Sequence, residues 1–223
     1  MGKYRKSIRL WVLCLAALIL TGCSSASDVS DYTRAVLDLT FQGDPSKALA
    51  YMEEPSEEAL MQEYQAFIEH FVEGNITNEI DVGEIKTSQF AELISKIFAT
   101  MRYEVGEAEK IGGKEYEVPV KIQPSDVFVS FYQALTEDSL IMAEKVREGE
   151  YEGTEEEVSQ QLLNDIVNHA YELLDVAYMD TQYGKSETVT LRVTAEKKKE
   201  YVIDDEDMNQ LIIKILRLDE IQG

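Results

Sequence analysis

Apolar residues recur every three or four positions along most of this chain and every second position in two short blocks. Tyr32, Val36 and Leu39 fall at helical spacing, with Asp31 as the expected cap and Gly43 as a stop. Asp44-Pro45 reads as an N-cap followed by proline at the first helical position, starting a short helix through Ala48, Leu49 and Met52. Pro55-Ser56 restarts the chain, and Leu60, Tyr64, Phe67, Ile68 and Phe71 form one stripe that ends at Gly74. Thr87 or Ser88 is the expected cap of a helix with the stripe Phe90, Leu93, Ile94, Ile97, Phe98 and Met101.

The period then shortens to two. Tyr103 and Val105 lead to the turn signal Gly112-Gly113. Tyr116, Val118, Val120 and Ile122 alternate with Glu115, Glu117, Pro119 and Lys121, which predicts a hairpin with one buried face. Pro119 cannot donate a ladder hydrogen bond, so its strand is expected at a sheet edge or with a bulge. Helical spacing returns after Ser125-Asp126 with Phe128, Tyr132, Leu135, Met142 and Val146. Gly149 and Gly153 bracket a linker, and Thr154 with Glu157 forms a capping box. The helix that follows is expected to bury Val158, Leu162, Ile166, Leu173 and Val176. A second alternating block holds Val189, Leu191, Val193 and Ala195; Lys197 to Lys199 form the expected turn, and Tyr201 to Ile203 return. Asp204 or Asp205 caps a last helix with Met208, Leu211, Ile212 and Ile215.

Helices, hairpin, helices, hairpin, helix is the order of an α+β fold. The expected architecture has helices packed on one face of an antiparallel sheet of about four strands built from two hairpins. Residues 31–223 are expected to form a single domain, with a sub-lobe boundary near 149–153 as the alternative.

The front of the chain has a different logic. Lys3, Arg5, Lys6 and Arg9 precede an apolar run from Leu10 to Leu20, the layout of a secretory leader. The run is about half of the ~20 residues that a spanning helix needs. It ends in Leu20-Thr21-Gly22-Cys23, which resembles the lipobox of bacterial lipoproteins. The resemblance implies a leader over 1–22, cleavage before Cys23, acylation of the Cys23 sulfur, and a lipidated tether over 23–30. It places the chain on the outer face of the cell membrane. A secreted protein with a chance cysteine is the alternative. A diacylglyceryl cysteine supplies two acyl chains, and each buried methylene contributes ~0.8 kcal/mol. Ser24 to Ser30, fully extended, would reach at most ~25 Å. Tyr32 to Asp44 also resembles the opening of uncharacterised surface lipoproteins of Gram-positive bacteria, with the form Leu-Asp-x-Thr-aromatic-x-Gly-Asp at Leu37 to Asp44. That family implies a domain of unknown function and transfers no catalytic residue.

Composition narrows the chemistry. Cys14 leaves with the leader and Cys23 is taken by lipid, so the remaining ~200 residues hold no disulfide, thiolate metal site or cysteine nucleophile. The formal net charge is -22, and loss of the leader's four cations makes it more negative. Such a body repels nucleic acid and anionic headgroups. The lipid on Cys23 is therefore the expected membrane contact, with a protein or cell-wall partner beyond it and no nucleic acid. The two histidines, His70 and His169, sit on helical stripes and read as structural. Asp205, Asp207 and Asn209 have calcium-loop spacing, but Gln210 and Leu216 stand where glycine and a bidentate glutamate are needed. No metal or cofactor is expected, and no catalytic residue is assigned. Tyr178 and Tyr183, flanking the loop Met179 to Gly184, are the candidate ligand contacts. These features predict a non-enzymatic binding or accessory module. The alternatives are a cell-envelope hydrolase with paired carboxylates and a solute-binding component of a transporter.

Overall fold

The structure is a computed structural model that describes residues 25–52, 54–77, 82–196 and 200–221. The leader, Cys23 and the Lys197 to Lys199 turn lie outside the described residues. The fold is α+β, with an antiparallel sheet and two compact units. The first unit comprises residues up to 122 together with 186–212, and the second comprises 123–185 with 213–223.

The first unit opens with α1 (Ala26–Leu37), capped by Ser25 through a box with Asp28. This corrects two expectations. The helix begins at Ser25 instead of Asp31, and residues 26–30 are not tether: Val29 and Ser30 are buried. The signal was an aspartate three residues after a serine, the same device that marks Thr154. The chain then widens into a π-helical turn, Asp38–Gln42, closed by Gly43 in the left-handed conformation (φ 61°). The left-handed backbone favours glycine here, and a Cβ on Gly43 would also crowd the Tyr64 ring, 3.0 Å from its Cε1. Asp44 Oδ1 accepts from the Ser46 amide at 2.9 Å, and a 3-10 turn follows at Ala48–Tyr51. Ala35, Leu39, Ala48 and Leu60 pack together here.

α2 (Glu57–Asn75) starts at Ser56, whose hydroxyl accepts from the Ala59 amide. α3 (Glu84–Ala99) starts at Gly83, four residues before the expected Thr87, and Thr87 donates back to the Gly83 carbonyl. Their stripes meet as read from the sequence: Phe98 lies 5.8 Å from Phe67, 5.0 Å from Phe71 and 5.9 Å from Phe41, ring centre to ring centre.

The sheet comprises β1 (Arg102–Val105), β2 (Glu109–Gly112), β3 (Glu115–Gln123), β4 (Glu187–Ala195) and β5 (Tyr201–Ile203). Its order is β1-β3-β4-β5, and β2 also pairs with β3. Pro119 therefore sits on a central strand, opposite Thr190, and the edge alternative is corrected. The missing donor is accommodated by a break between β1 and β2. Gly106 donates to the Pro119 carbonyl at 2.8 Å, and a Cβ on Gly106 would lie 2.9 Å from Pro119 Cγ. α1 supplies the hydrogen bonds the break would otherwise lose: Ser30 Oγ accepts from the Ala108 amide at 2.8 Å, and Arg34 donates to the Val105 carbonyl at 3.2 Å. Tyr116, Val118, Val120, Ile122, Leu191 and Val193 are buried while their neighbours along the strands are not.

The second unit is built on α4 (Val127–Glu148) and α5 (Glu155–Met179), two long helices joined through Gly149–Gly153. Gly149 ends α4 in the left-handed conformation (φ 73°), and Thr154 and Glu157 exchange the hydrogen bonds of the capping box. Ser125 donates its amide to the Ile215 carbonyl, and Asp126 Oδ1 accepts from the Gln182 amide at 2.7 Å, which ties the start of α4 to the end of the hairpin.

Candidate functional site

α5 does not bury the stripe that its periodicity singles out. Ala170, Leu174 and Ala177 are the buried residues, whereas Ile166 is 39% and Val176 56% exposed, and Val158, Leu162 and Leu173 are half-buried. The physical reason is width. Apolar residues cover a broad arc of α5, and within this unit the long helix packed against it is α4. On α4, Val127, Phe128, Phe131 and Met142 are buried, while Val146, expected in the core, is exposed.

Asp138 on α4 accepts a hydrogen bond from His169 Nδ1 on α5, at 3.0 and 3.1 Å to its two oxygens. Ile141 is one helical turn beyond Asp138, and Ile166 and Leu173 lie three and four residues from His169. Ile141 is 55% exposed, and Leu140 beside it 69%. A carboxylate only accepts, so the contact places a proton on Nδ1. His169 is 35% exposed and Asp138 17%. Next to this pair, the Tyr151 hydroxyl donates to Asp165 Oδ2 at 3.0 Å and lies 3.4 Å from Met142 Sδ. Partial burial and then the Asp165 carboxylate push the Tyr151 phenol up, so it stays a donor. These contacts pin the inter-helix turn to both helices. Two i, i+4 pairs, Asp138 with Met142 and Asp165 with His169, on either side of a glycine-bracketed turn were the sequence signal for this cluster.

Tyr178 and Tyr183 are both half-buried, and the Tyr183 backbone bridges to Ser125. They stand at the end of α5 and in the loop after it, and Val176 and Met179 are the exposed apolar residues beside them. His70 is exposed and lies 3.3 Å from Glu73. Asp204 caps α6 (Asp205–Ile215) by accepting from the Glu206 and Asp207 amides, both at 3.1 Å. Both oxygens of Asp207 are taken by Arg192, at 2.7 Å from Nε and 3.0 Å from Nη2. Asp207 is held below the usual carboxylate range against its own burial by these hydrogen bonds and the Arg192 charge. The motif at Leu37 to Asp44 is explained the same way: Asp38 accepts from the Tyr103 hydroxyl at 2.7 Å and from Lys47 at 2.6 Å, and Phe41 is fully buried 5.4 Å from the Tyr103 ring. Among the described residues, no group of three or more histidine, cysteine or acidic side chains is placed to hold a metal ion, and no helix is long and apolar enough to cross a membrane.

No protein-family model matches this chain, and no curated protein matches it in sequence. A similar solved structure is that of ycdA, a protein of Bacillus subtilis assigned as a lipoprotein. The two share 11% identity over 85% of this chain and 56% of the other, with a TM-score of 0.48. This chain therefore aligns with little more than half of that protein.

Proposed function

We propose that this chain is a lipoprotein moored through Cys23 on the outer face of the cell membrane, where it acts as a binding or accessory module. The lipobox at Leu20 to Cys23 supports the mooring. The observation that carries the binding role is the exposure of large apolar side chains on both long helices of the second unit: Leu140 and Ile141 on α4, and Ile166, Val176 and Met179 on α5. Exposed apolar side chains on two packed helices leave apolar area that a partner can cover. Because α1 begins at Ser25, only Ser24 separates the acylated residue from its cap, and the first unit is held close to the bilayer.

A photo-crosslinking amino acid placed at Ile141 or Ile166 of the full chain in intact cells tests this reading, with Val202 on the first unit as an exposed control. Discrete adducts at Ile141 and Ile166, absent at Val202, are expected. No adducts at the hairpin, or the same pattern at all three sites, would contradict a dedicated surface.

A further inference from the structure

We infer that the end of the sheet carrying the β2–β3 turn rests on the lipid bilayer, with Ile111 and Val202 set into the headgroup layer. This rests on the reading of Cys23 as the mooring and names the part of the first unit that the mooring holds against the membrane. The first ground is direction. Three contacts tie α1 and the turn after it to the β1–β2 edge in reverse order. Ser30 accepts from the Ala108 amide at 2.8 Å, Arg34 donates to the Val105 carbonyl at 3.2 Å, and Asp38 accepts from the Tyr103 hydroxyl at 2.7 Å. α1 therefore runs antiparallel to this edge, and its N-terminus points the way β2 runs. A helix advances ~1.5 Å per residue and a strand ~3.3 Å, so Ser25 stands about 7.5 Å beyond the Ser30–Ala108 contact and Ile111 about 10 Å beyond it, in the same direction. Cys23 precedes Ser25 by two residues, at most ~7 Å of extended chain. The lipid thus leaves the unit at the end where the β2–β3 turn stands.

The second ground is what this end displays. Ile111 is the extra residue in the register of β2 and β3: Lys110 faces Tyr116 and Gly112 faces Glu115, and Ile111 between them is 50% exposed. The row from Gly112 through Glu115 and Thr194 ends at Val202, which is 46% exposed. Two exposed apolar side chains therefore stand at the level of the anchor. The third ground is charge. The chain carries a formal charge of -22, yet from Ala108 to Glu115 the cations Lys110 and Lys114 balance the acids Glu109 and Glu115. The repulsion that keeps an acidic body off anionic headgroups is locally cancelled at this turn. With the acyl chains so near, the contact is intramolecular, and a small apolar gain is enough to hold it. Contact with lipid leaves Val202 without a protein adduct, as its use as the crosslinking control requires.

The test uses the full lipidated chain in phosphatidylcholine vesicles, and flotation first measures the anchoring. One protein carries a fluorophore through Ile111→Cys, another through Glu104→Cys, an exposed position toward the far end of the same edge. The two positions are ~23 Å apart along the strands, so a nitroxide near the headgroup end of the acyl chains is expected to quench the Ile111 label about threefold more than the Glu104 label. In unlabelled protein, Ile111→Ser with Val202→Ser should leave the urea midpoint unchanged and speed transfer of the chain between vesicles about tenfold, because two half-exposed apolar side chains return to water. Glu104→Ser should leave the transfer rate as it is. Equal quenching at the two positions in chains that float, or transfer unchanged by the double substitution, would overturn the inference and leave the mooring standing. Chains that fail to float would overturn the mooring and the inference with it.

Discussion

Leu174 and Val176 are two residues apart on α5 and should respond very differently to alanine. Leu174 is fully buried, so Leu174→Ala removes packed side-chain volume and leaves a cavity; the expected loss is about 2–5 kcal/mol. Val176 is 56% exposed. Valine to alanine removes roughly two methylene equivalents at ~0.8 kcal/mol each, and with less than half of that side chain out of water the loss is about 0.7 kcal/mol. Alanine's better helix propensity returns about 0.5 kcal/mol, so Val176→Ala should be close to neutral. Urea denaturation of the full chain in nonionic detergent, followed by far-ultraviolet circular dichroism, measures both. If Val176→Ala cost as much as Leu174→Ala, the periodic stripe would be core, and the open face of α5 would not exist.

Three other outcomes follow from particular contacts. Gly106→Ala should destabilise the chain by about 1–3 kcal/mol, because its Cβ would meet Pro119 Cγ at 2.9 Å and the Pro119 carbonyl oxygen at 3.0 Å; an unchanged denaturation midpoint would contradict the close approach at the β1–β2 break. Thr154→Ala should cost about 0.5–2 kcal/mol by removing half of the α5 capping box, while Thr154→Ser should cost much less; equal losses would point away from the hydroxyl. Burial and then the Asp31 charge push the Tyr51 phenol up to about 12 from the ordinary 10.0, and burial with the Asp38 carboxylate pushes Tyr103 up further. The fold holds these protons more tightly than the unfolded chain does. Their stabilising contribution is therefore complete below pH 10, and that of Tyr51 is lost as the pH rises through about 12. Tyr51→Phe should flatten the fall of the denaturation midpoint in that alkaline window, and an unaltered slope would refute the assignment.

Elements whose two faces differ sharply were legible in the chain. The alternation through Tyr116 to Ile122 and the stripe from Phe90 to Phe98 bury the residues that periodicity marks, because each element has one apolar face and one neighbour to cover it. Legibility failed where several solutions satisfy one pattern. On α5 the apolar arc is broad, and the line that is buried is Ala170, Leu174 and Ala177 while Ile166 and Val176 stay exposed. The period of the stripe does not encode which line of a broad arc is covered. Pro119 marked an interruption correctly but did not say on which side of its strand the interruption falls. Ser30 and Arg34, which complete the broken strand, come from a helix more than seventy residues away. The start of α1 was missed because Ser25-Ala26-Ser27-Asp28 has the composition of a linker and the chemistry of a cap. The His169–Asp138 contact joins two helices, and only their pairing brings it about.

The claim on which the account's biological setting depends concerns Cys23, and intact-mass analysis of the processed protein from its own membranes tests it most directly. The account predicts a chain that begins at Cys23 and carries a diacylglyceryl group on sulfur, and it predicts that Cys23→Ala abolishes both that mass and membrane retention. A chain that begins elsewhere, or one that keeps Cys23 as a free thiol while remaining in the membrane fraction, would contradict it.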